Sequence, residues 1–299
     1  MHKRLFNEAM ITLTISPDGP ILIKAGESGV DPTRPDMEFV RTLHRGQETI
    51  YLPGSSLKGV LRAHCERIAR TVDTDDAQRE RGKPLSCDPL DSRRSCSSQL
   101  EGVSGPRAHE RSCFICQLFG NTSLASHLRI TDAYPVDFEK VRLEERNGVA
   151  IDRVTGAVAQ GPFEMEILTE GTFCGAIAIR NFTLGQLGLL AAALLDIGDG
   201  LVPIGFGKSK GMGRVELAFR RFAVRTLKDP EGELRGVGFW ADEKEWRDYG
   251  LPSRESERMP WTVPTTRVRG FYEAVLTEDA AIRELLEEVA GRWPEEVGR

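Results

Sequence analysis

The chain has 299 residues, of which 40% are hydrophobic and 28% charged, with a formal net charge of −5. That length holds one large domain or two small ones around a real core, and the acidic balance excludes a globally basic nucleic-acid coat. A local basic groove stays open, because a partner responds to the local field rather than to the total.

Residues 1–8 are basic but lack the apolar centre of a signal peptide, and no apolar run in the chain reaches the length of a membrane span. A cytoplasmic protein with no membrane partner is therefore expected. Its six cysteines are read as thiols or metal ligands rather than disulfides. Residues 9–16 alternate, with Ile11, Leu13 and Ile15 on one face, which predicts a half-buried strand. Residues 21–24 continue it beyond a Pro-Asp-Gly-Pro turn. A loop rich in Gly and Pro follows and carries Asp31 and Asp36; residues 37–42 are expected to be extended.

Next comes a strand over residues 48–52, then Pro53-Gly-Ser-Ser-Leu-Lys-Gly59 and a helix to about Arg70, with Leu57, Val60, Leu61, His64 and Ile68 on one side. Ser55 or Ser56 falls where an N-cap belongs. The remaining helix N–H groups, the positive end of the helix dipole and Lys58 offer a place for a phosphate. The alternative is an ordinary capped strand–turn–helix.

Residues 71–112 are polar and aperiodic, too poor in apolar side chains to order themselves. They hold Cys87 and Cys96, and Cys113-Phe-Ile-Cys116 follows at once. Two cysteines spaced by two residues can share one ion, and four thiolates complete a tetrahedral zinc site. His109 is an alternate ligand, and clustered reduced thiols are the competing reading. Cys65 and Cys174 read as small core residues.

Residues 127–132 read as a strand, and residues 146–163 as a long hairpin or protruding arm running into residues 164–168. Another strand is expected over residues 172–179. Thr183-Leu-Gly-Gln186 is a capping box opening a helix that buries Leu187, Leu190, Leu194 and Ile197. The glycines at 205, 207, 211 and 213 do not fit a dinucleotide fingerprint, and a strand follows where that fingerprint needs a helix. They flank Lys208 and Lys210, making either a loop that a polyanion can approach closely or a long hairpin turn. Strands over residues 214–219 and 222–226 finish the sheet. All four tryptophans (Trp240, Trp246, Trp261, Trp293) lie in the tail beyond Leu227, as body packing or as interface anchors, with one amphipathic helix over residues 279–292.

Four motifs occur in order: Pro53-Gly-Ser-Ser-Leu-Lys-Gly59, Cys113-x-x-Cys-x-Leu-Phe-Gly120, Ile151-Asp-Arg-x-Thr-Gly156 and Gly205-x-Gly-x-x-x-Gly-x-Gly213. Together they resemble the RAMP superfamily, namely the repeating backbone subunit of type III CRISPR effector complexes, over roughly residues 8–220. The resemblance implies an α+β chain with a modified RNA-recognition (ferredoxin-like) fold, an inserted zinc-binding segment and a protruding thumb hairpin. Residues 1–226 would form that domain, with the insert at 71–116 and the thumb at 146–168, and residues 227–299 an extension of unknown role.

The same resemblance implies that CRISPR RNA phosphates are held by Gly54, Ser55, Ser56, Lys58 and Arg62 and by Gly207, Lys208, Ser209, Lys210 and Gly211. The hairpin at 149–163 would wedge between bases of the guide–target duplex, base pairing would supply sequence discrimination, and copies or paralogues of the subunit would stack with other effector subunits. Cleavage of complementary target RNA in that family depends on a loop aspartate followed by a short extended run and a basic residue. Asp36-Met-Glu-Phe-Val-Arg41 matches, so Asp36 is the expected catalytic residue and Asp31 the alternate. One carboxylate with an RNA phosphate can hold a Mg²⁺ that keeps most of its waters. Two other readings compete: a non-catalytic structural RNA-binding subunit, and a repeat-cutting nuclease using His44.

Overall fold

The computed structural model describes residues 3–26, 35–91, 93–103 and 105–297. Strand β1 (Asn7–Pro17) sits at the centre because its odd positions are apolar: Ala9, Ile11, Leu13 and Ile15 are buried on one face. A hairpin of β2 (Arg41–His44) and β3 (Gln47–Ile50) leads to the long helix α1 (Gly54–Val72). The insert carries α2 (Asp75–Arg81), α3 (Cys96–Gln99), α4 (Pro106–Arg111) and α5 (Phe114–Phe119). Then come β4 (Leu128–Ile130), β5 (Tyr134–Pro135), the hairpin β6 (Arg142–Ile151) and β7 (Val158–Glu170), β8 (Phe173–Arg180), α6 (Leu184–Gly198) and β9 (Val215–Thr226). The tail adds β10 (Glu233–Arg235), α7 (Val237–Trp240), α8 (Glu243–Tyr249), β11 (Arg258–Pro260), β12 (Thr265–Val268), β13 (Phe271–Leu276), α9 (Asp279–Ala290) and α10 (Arg292–Val297).

The main sheet has seven strands in the order β12-β13-β9-β1-β8-β4, with β5 also on β8. Taking β1, α1, β4, β8, α6 and β9 alone gives β-α-β-β-α-β with β1 antiparallel between β8 and β9, which is the ferredoxin-like topology expected. Ile11 faces Ile177 on one side and Phe222 on the other, and a bulge follows at Thr12/Leu13. Phe222 is fully buried, a ring whose loss from such a core costs about 3–5 kcal/mol. Helix α6 packs against α1, α9, α10 and β9. It opens on the expected capping box, with Gln186 N–H donating to Thr183 Oγ1 (3.1 Å) and Thr183 N–H to Gln186 Oε1 (3.3 Å). Among the described residues no helix is long and apolar enough to cross a membrane.

The structure differs from the sequence expectations in five places. Residues 21–24 do not continue β1 but make isolated bridges, Ile21 to Leu168 and Lys24 to Phe39. Helix α1 begins at Gly54, two or three residues earlier than a Ser55 or Ser56 cap requires; Pro53 occupies the cap position and no side chain there caps the helix. Asp132, just past β4, accepts the Gly54 N–H instead (2.8 Å). A Cβ at Gly54 would lie 2.5 Å from Ile130 O, so this glycine is what lets the turn press on β4. The strand expected at residues 48–52 is shorter and pairs with β2 through an Arg45-Gly46 turn, both at positive φ. Residues 71–112 are ordered by short helices packed around the cysteines and by Asp73, which accepts from Leu85 N (2.8 Å) and pairs with Arg81. Residues 214–226 hold one bulged strand rather than two.

The tail is continuous with the body. β13 pairs with β9, extending the sheet past the edge where the core motif would end. Trp261 and Trp293 are buried in the main core with Ile282, Leu285, Leu286 and Val289 of α9. Trp246 is partly exposed, its indole N–H donating to Pro252 O (2.7 Å). Body packing is thus the role two of the four tryptophans take.

Candidate nucleic-acid interface and metal centre

The glycine loop folds back onto the stretch after β1. Phe206 N–H donates to Leu22 O (2.7 Å) and Gly213 N–H to Pro20 O (2.8 Å). Gly213 has φ +94°, and a Cβ there would sit 2.1 Å from Ile204 O; a Cβ at Gly205 would sit 2.4 Å from Leu22 O. These two glycines are demanded by close backbone approach, and they aim a 3₁₀ turn at Lys208–Lys210 outward.

That turn lies beside α1. An open groove of about 370 Å³ is lined by Lys24, Ser56, Gly59, Ala63, Phe206 and Lys208 among others. The two motifs distant in sequence therefore share one wall-to-wall depression. Ser55, Ser209, Lys210 and Gly211 are exposed around it and Gly207 half-exposed. Burial lowers the affinity of Lys208 for its proton, and the nearby Arg67 guanidinium lowers it further. Among the described residues no carboxylate forms an ion pair with Lys24, Arg67, Lys208 or Lys210.

Three other expected phosphate ligands face elsewhere. The Gly54 N–H is taken by Asp132. Lys58 is turned inward, donating to Ser126 Oγ (2.9 Å), and burial lowers its proton affinity. Arg62 donates to Glu66 Oε1 (2.9 Å), Gly120 O (3.1 Å) and Cys116 Sγ (3.5 Å), tying α1 to the cysteine segment. Sequence reasoning missed Lys24, Arg67 and Phe206. For Arg67 a signal existed: Ser56, Gly59, Ala63 and Arg67 recur at three- and four-residue spacing, a small-residue face adjoining the apolar stripe of α1.

Hairpin β6–β7 forms its own two-stranded sheet and projects. Its tip is an Asx turn in which Asp152 Oδ1 accepts from Val154 N (3.0 Å), Thr155 N (2.7 Å) and Thr155 Oγ1 (2.9 Å); these bonds hold its carboxyl below the ordinary range. Val154 beside it is 93% exposed. At the root, Arg41 pairs bidentately with Glu166 (2.7 and 2.5 Å), and Met37 bridges to Met165.

Asp36 lies at this root. It is exposed, and its Oδ2 accepts the Glu164 N–H (3.2 Å) while Met37 N–H donates to Glu164 O (3.0 Å). Asp31 falls outside the described residues. The His44 ring lies flat on Tyr134, with centroids 3.8 Å apart.

The sulfurs of Cys87, Cys96, Cys113 and Cys116 all lie within 4.8 Å of one another and all four residues are buried. Cys87 and Cys116 Sγ are 3.7 Å apart. A tetrahedral zinc with bonds of about 2.3 Å holds its sulfurs about 3.8 Å apart, so the group fits that ion. Cys96 Sγ accepts from Cys113 N (3.3 Å) and Cys113 Sγ from Cys116 N (3.4 Å), the backbone donors expected around thiolates. The thiols compete for ionisation. Cys87 is drawn far down by Cys113, Cys116 and Cys96, Cys96 falls to about 7 with Cys113 as chief partner, and Cys113 is pushed up, by Cys116 above all. A divalent cation removes the competition by letting all four ionise. His109 stands apart, its Nδ1 bonded to Tyr249 O (3.1 Å); burial, then repulsion from His127, pushes it down to about 3.

The family profile described as the RAMP superfamily matches residues 14–216, more than half of the chain. No curated protein matches it.

Proposed function

Since the chain belongs to the RAMP superfamily, whose general role is CRISPR-associated and RNA-binding, we propose that it is a guide-RNA-binding backbone subunit of a type III effector complex that also cleaves target RNA. One observation carries this reading: the two expected turns line a single groove whose cations Lys24 and Lys208, with Arg67 near Lys208 and Lys210 on the same turn, have no acidic ion-pair partner among the described residues. Unpaired cations over a floor of small residues (Gly59, Ala63) suit a sugar–phosphate backbone, which is positioned by charge and shape. Complementary target RNA would pair with the held guide. Further copies or paralogues of the chain, with other effector subunits, would complete the assembly. The projecting hairpin, with Val154 and Ile151 exposed at its end, would part the duplex.

Cleavage would then fall to Asp36 at the hairpin root. Its role would be to help hold a Mg²⁺, which would supply charge neutralisation at the scissile phosphate, while the hairpin aligns the 2′-hydroxyl. The second reading, a subunit that binds but does not cut, has an observation in its favour: the Asp36 carboxylate already anchors a turn through the Glu164 N–H.

Two measurements decide. Single-stranded RNA binding by the purified chain is expected to weaken with salt, with a slope of log K against log salt of roughly −3 if four cations meet phosphates. Replacing Lys24, Arg67, Lys208 and Lys210 by Ala should abolish most of that slope; an unchanged slope removes the groove from the account. In the assembled complex, Asp36→Ala should leave target RNA bound and intact, and undiminished cutting would favour the binding-only role for this residue.

A further inference from the structure

Outside the groove, three aromatic side chains form a column. The His44 and Tyr134 rings are stacked at 3.8 Å with an interplanar angle of 9°, and Tyr51 lies on Tyr134 at 5.9 Å and 18°. Aromatic pairs that only fill a core favour offset or edge-to-face contact over a close parallel sandwich. The His44–Tyr134 spacing is close to the rise of about 3.4 Å between stacked bases, whereas Tyr51 takes the wider offset contact. All three side chains are half-exposed, and Val136, two residues along from Tyr134, is 61% exposed. The β2–β3 hairpin that carries His44 does not depend on the column for its anchorage, because Arg41 and Phe39 N–H are already bound to Glu166.

The column is tied to the start of α1, the helix whose Ser56 and Gly59 line the groove, and the Tyr134 hydroxyl donates to Asp132 (3.4 Å). Leu52, adjacent to Tyr51, and Ala133, adjacent to Tyr134, exchange both backbone hydrogen bonds (3.0 and 2.9 Å). Asp132 beside them accepts the first N–H of α1. Ser55 is four residues past Tyr51, at most about 14 Å along the chain. On the other side the tilted His44–Phe138 contact (6.4 Å) reaches the turn that leads into β6. The exposed guanidinium of Arg45, at the hairpin turn next to His44, supplies a cation at this end.

We infer that the His44–Tyr134–Tyr51 column is a nucleobase-stacking site, taking an unpaired base of the RNA whose backbone runs along the groove. This rests on the proposed RNA-binding function and adds to it a base contact between the phosphate-holding turn and the hairpin root. Every base has a π-face, so the site is tolerant of sequence, and its contribution does not depend on counterion release.

The test separates the two claims. Binding of a fluorescent single-stranded RNA to the full chain is measured across a salt series for the wild type, Tyr134→Leu, His44→Ala and Lys208→Ala. Tyr134→Leu and His44→Ala are each expected to weaken binding roughly tenfold at every salt concentration with the slope unchanged, and Tyr134→Phe, which restores the ring, to recover the loss. Lys208→Ala should reduce the slope itself. Wild-type affinity in both ring-deleting variants overturns the stacking site, and leaves the groove standing if Lys208→Ala still lowers the slope. An RNA affinity insensitive to salt and to Lys208→Ala overturns the groove instead. His44, at the end of the column, decides alone if Tyr134→Leu does not fold.

Discussion

Helix α6 begins against two carboxylates supplied by the tail. Glu257, 1% exposed, accepts from Leu184 N (2.8 Å) and Gly238 N (3.0 Å), and Glu296 accepts from Gly185 N (2.7 Å). Burial raises both, Glu257 well above its usual range with Glu296 adding repulsion, and Glu296 to about 7. Between the ordinary value of 4.5 and about 7 the folded chain holds a proton at Glu296 that the unfolded chain has released. Stability from this group is therefore complete below pH 4.5 and is lost as pH rises through 7. Taken whole, the shift corresponds to about 3 kcal/mol. Glu296 borders a cavity of about 370 Å³ and is only half-buried, so solvent screens it. A change of about 1–2 kcal/mol is the working value. Glu296→Gln keeps an acceptor for Gly185 N–H and cannot ionise. The variant should match the wild type in urea unfolding at pH 4 and exceed it by that amount at pH 8. A gap between the two proteins that is the same at both pH values would refute the reasoning.

Metal analysis of the purified chain should find about one zinc per chain, and Cys113→Ala should lose it. Structural zinc contributes on the order of 10 kcal/mol of apparent binding energy to small domains, so the variant should unfold at much lower urea and its insert become protease-sensitive. Gly213→Ala forces a Cβ to 2.1 Å from Ile204 O at φ +94°, and a loss of about 3 kcal/mol or more is expected by urea unfolding. Gly211→Ala, at φ +78° in open space, should cost only about 1–2 kcal/mol.

The central strand, the amphipathic helices and the projecting hairpin were legible because each rests on a local period or a turn signal. Ile11, Leu13 and Ile15 announce β1, and Thr183 with Gln186 announces α6, with no help from the rest of the chain. The cap of α1 was not legible: it comes from Asp132, 78 residues after Gly54, and no local rule points there. The insert looked unable to order itself because its organising contacts are thiols and the Asp73 carboxylate rather than an apolar stripe. Lys58 and Arg62 looked like phosphate ligands by their place in the motif. Which way a cation on α1 points is settled by Ser126, Gly120 and Cys116, residues that reach it only through tertiary contact.

A net acidic chain can still present a positive groove where its carboxylates are paired with arginines elsewhere. Glu8 is buried between Arg180 and Arg225, Glu166 holds Arg41, and Asp73 holds Arg81. Their fields cancel locally, so what survives at the surface depends on cations left over, and those collect where α1 meets the glycine loop. The pose of α1 is in turn tied by Asp132 at its first N–H, Lys58 on Ser126, Arg62 on Cys116 and Gly120, His64 on Asp196, and Arg70 on the Cys87 carbonyl (3.1 Å) near its end. Two of them, Arg62 and Arg70, reach the cysteine segment. The cysteine centre lies outside the groove yet sets the wall that carries Ser56, Ala63 and Arg67. Cys113→Ala is therefore expected to weaken single-stranded RNA binding by the proposed groove, measured across a salt series, without removing a phosphate contact directly.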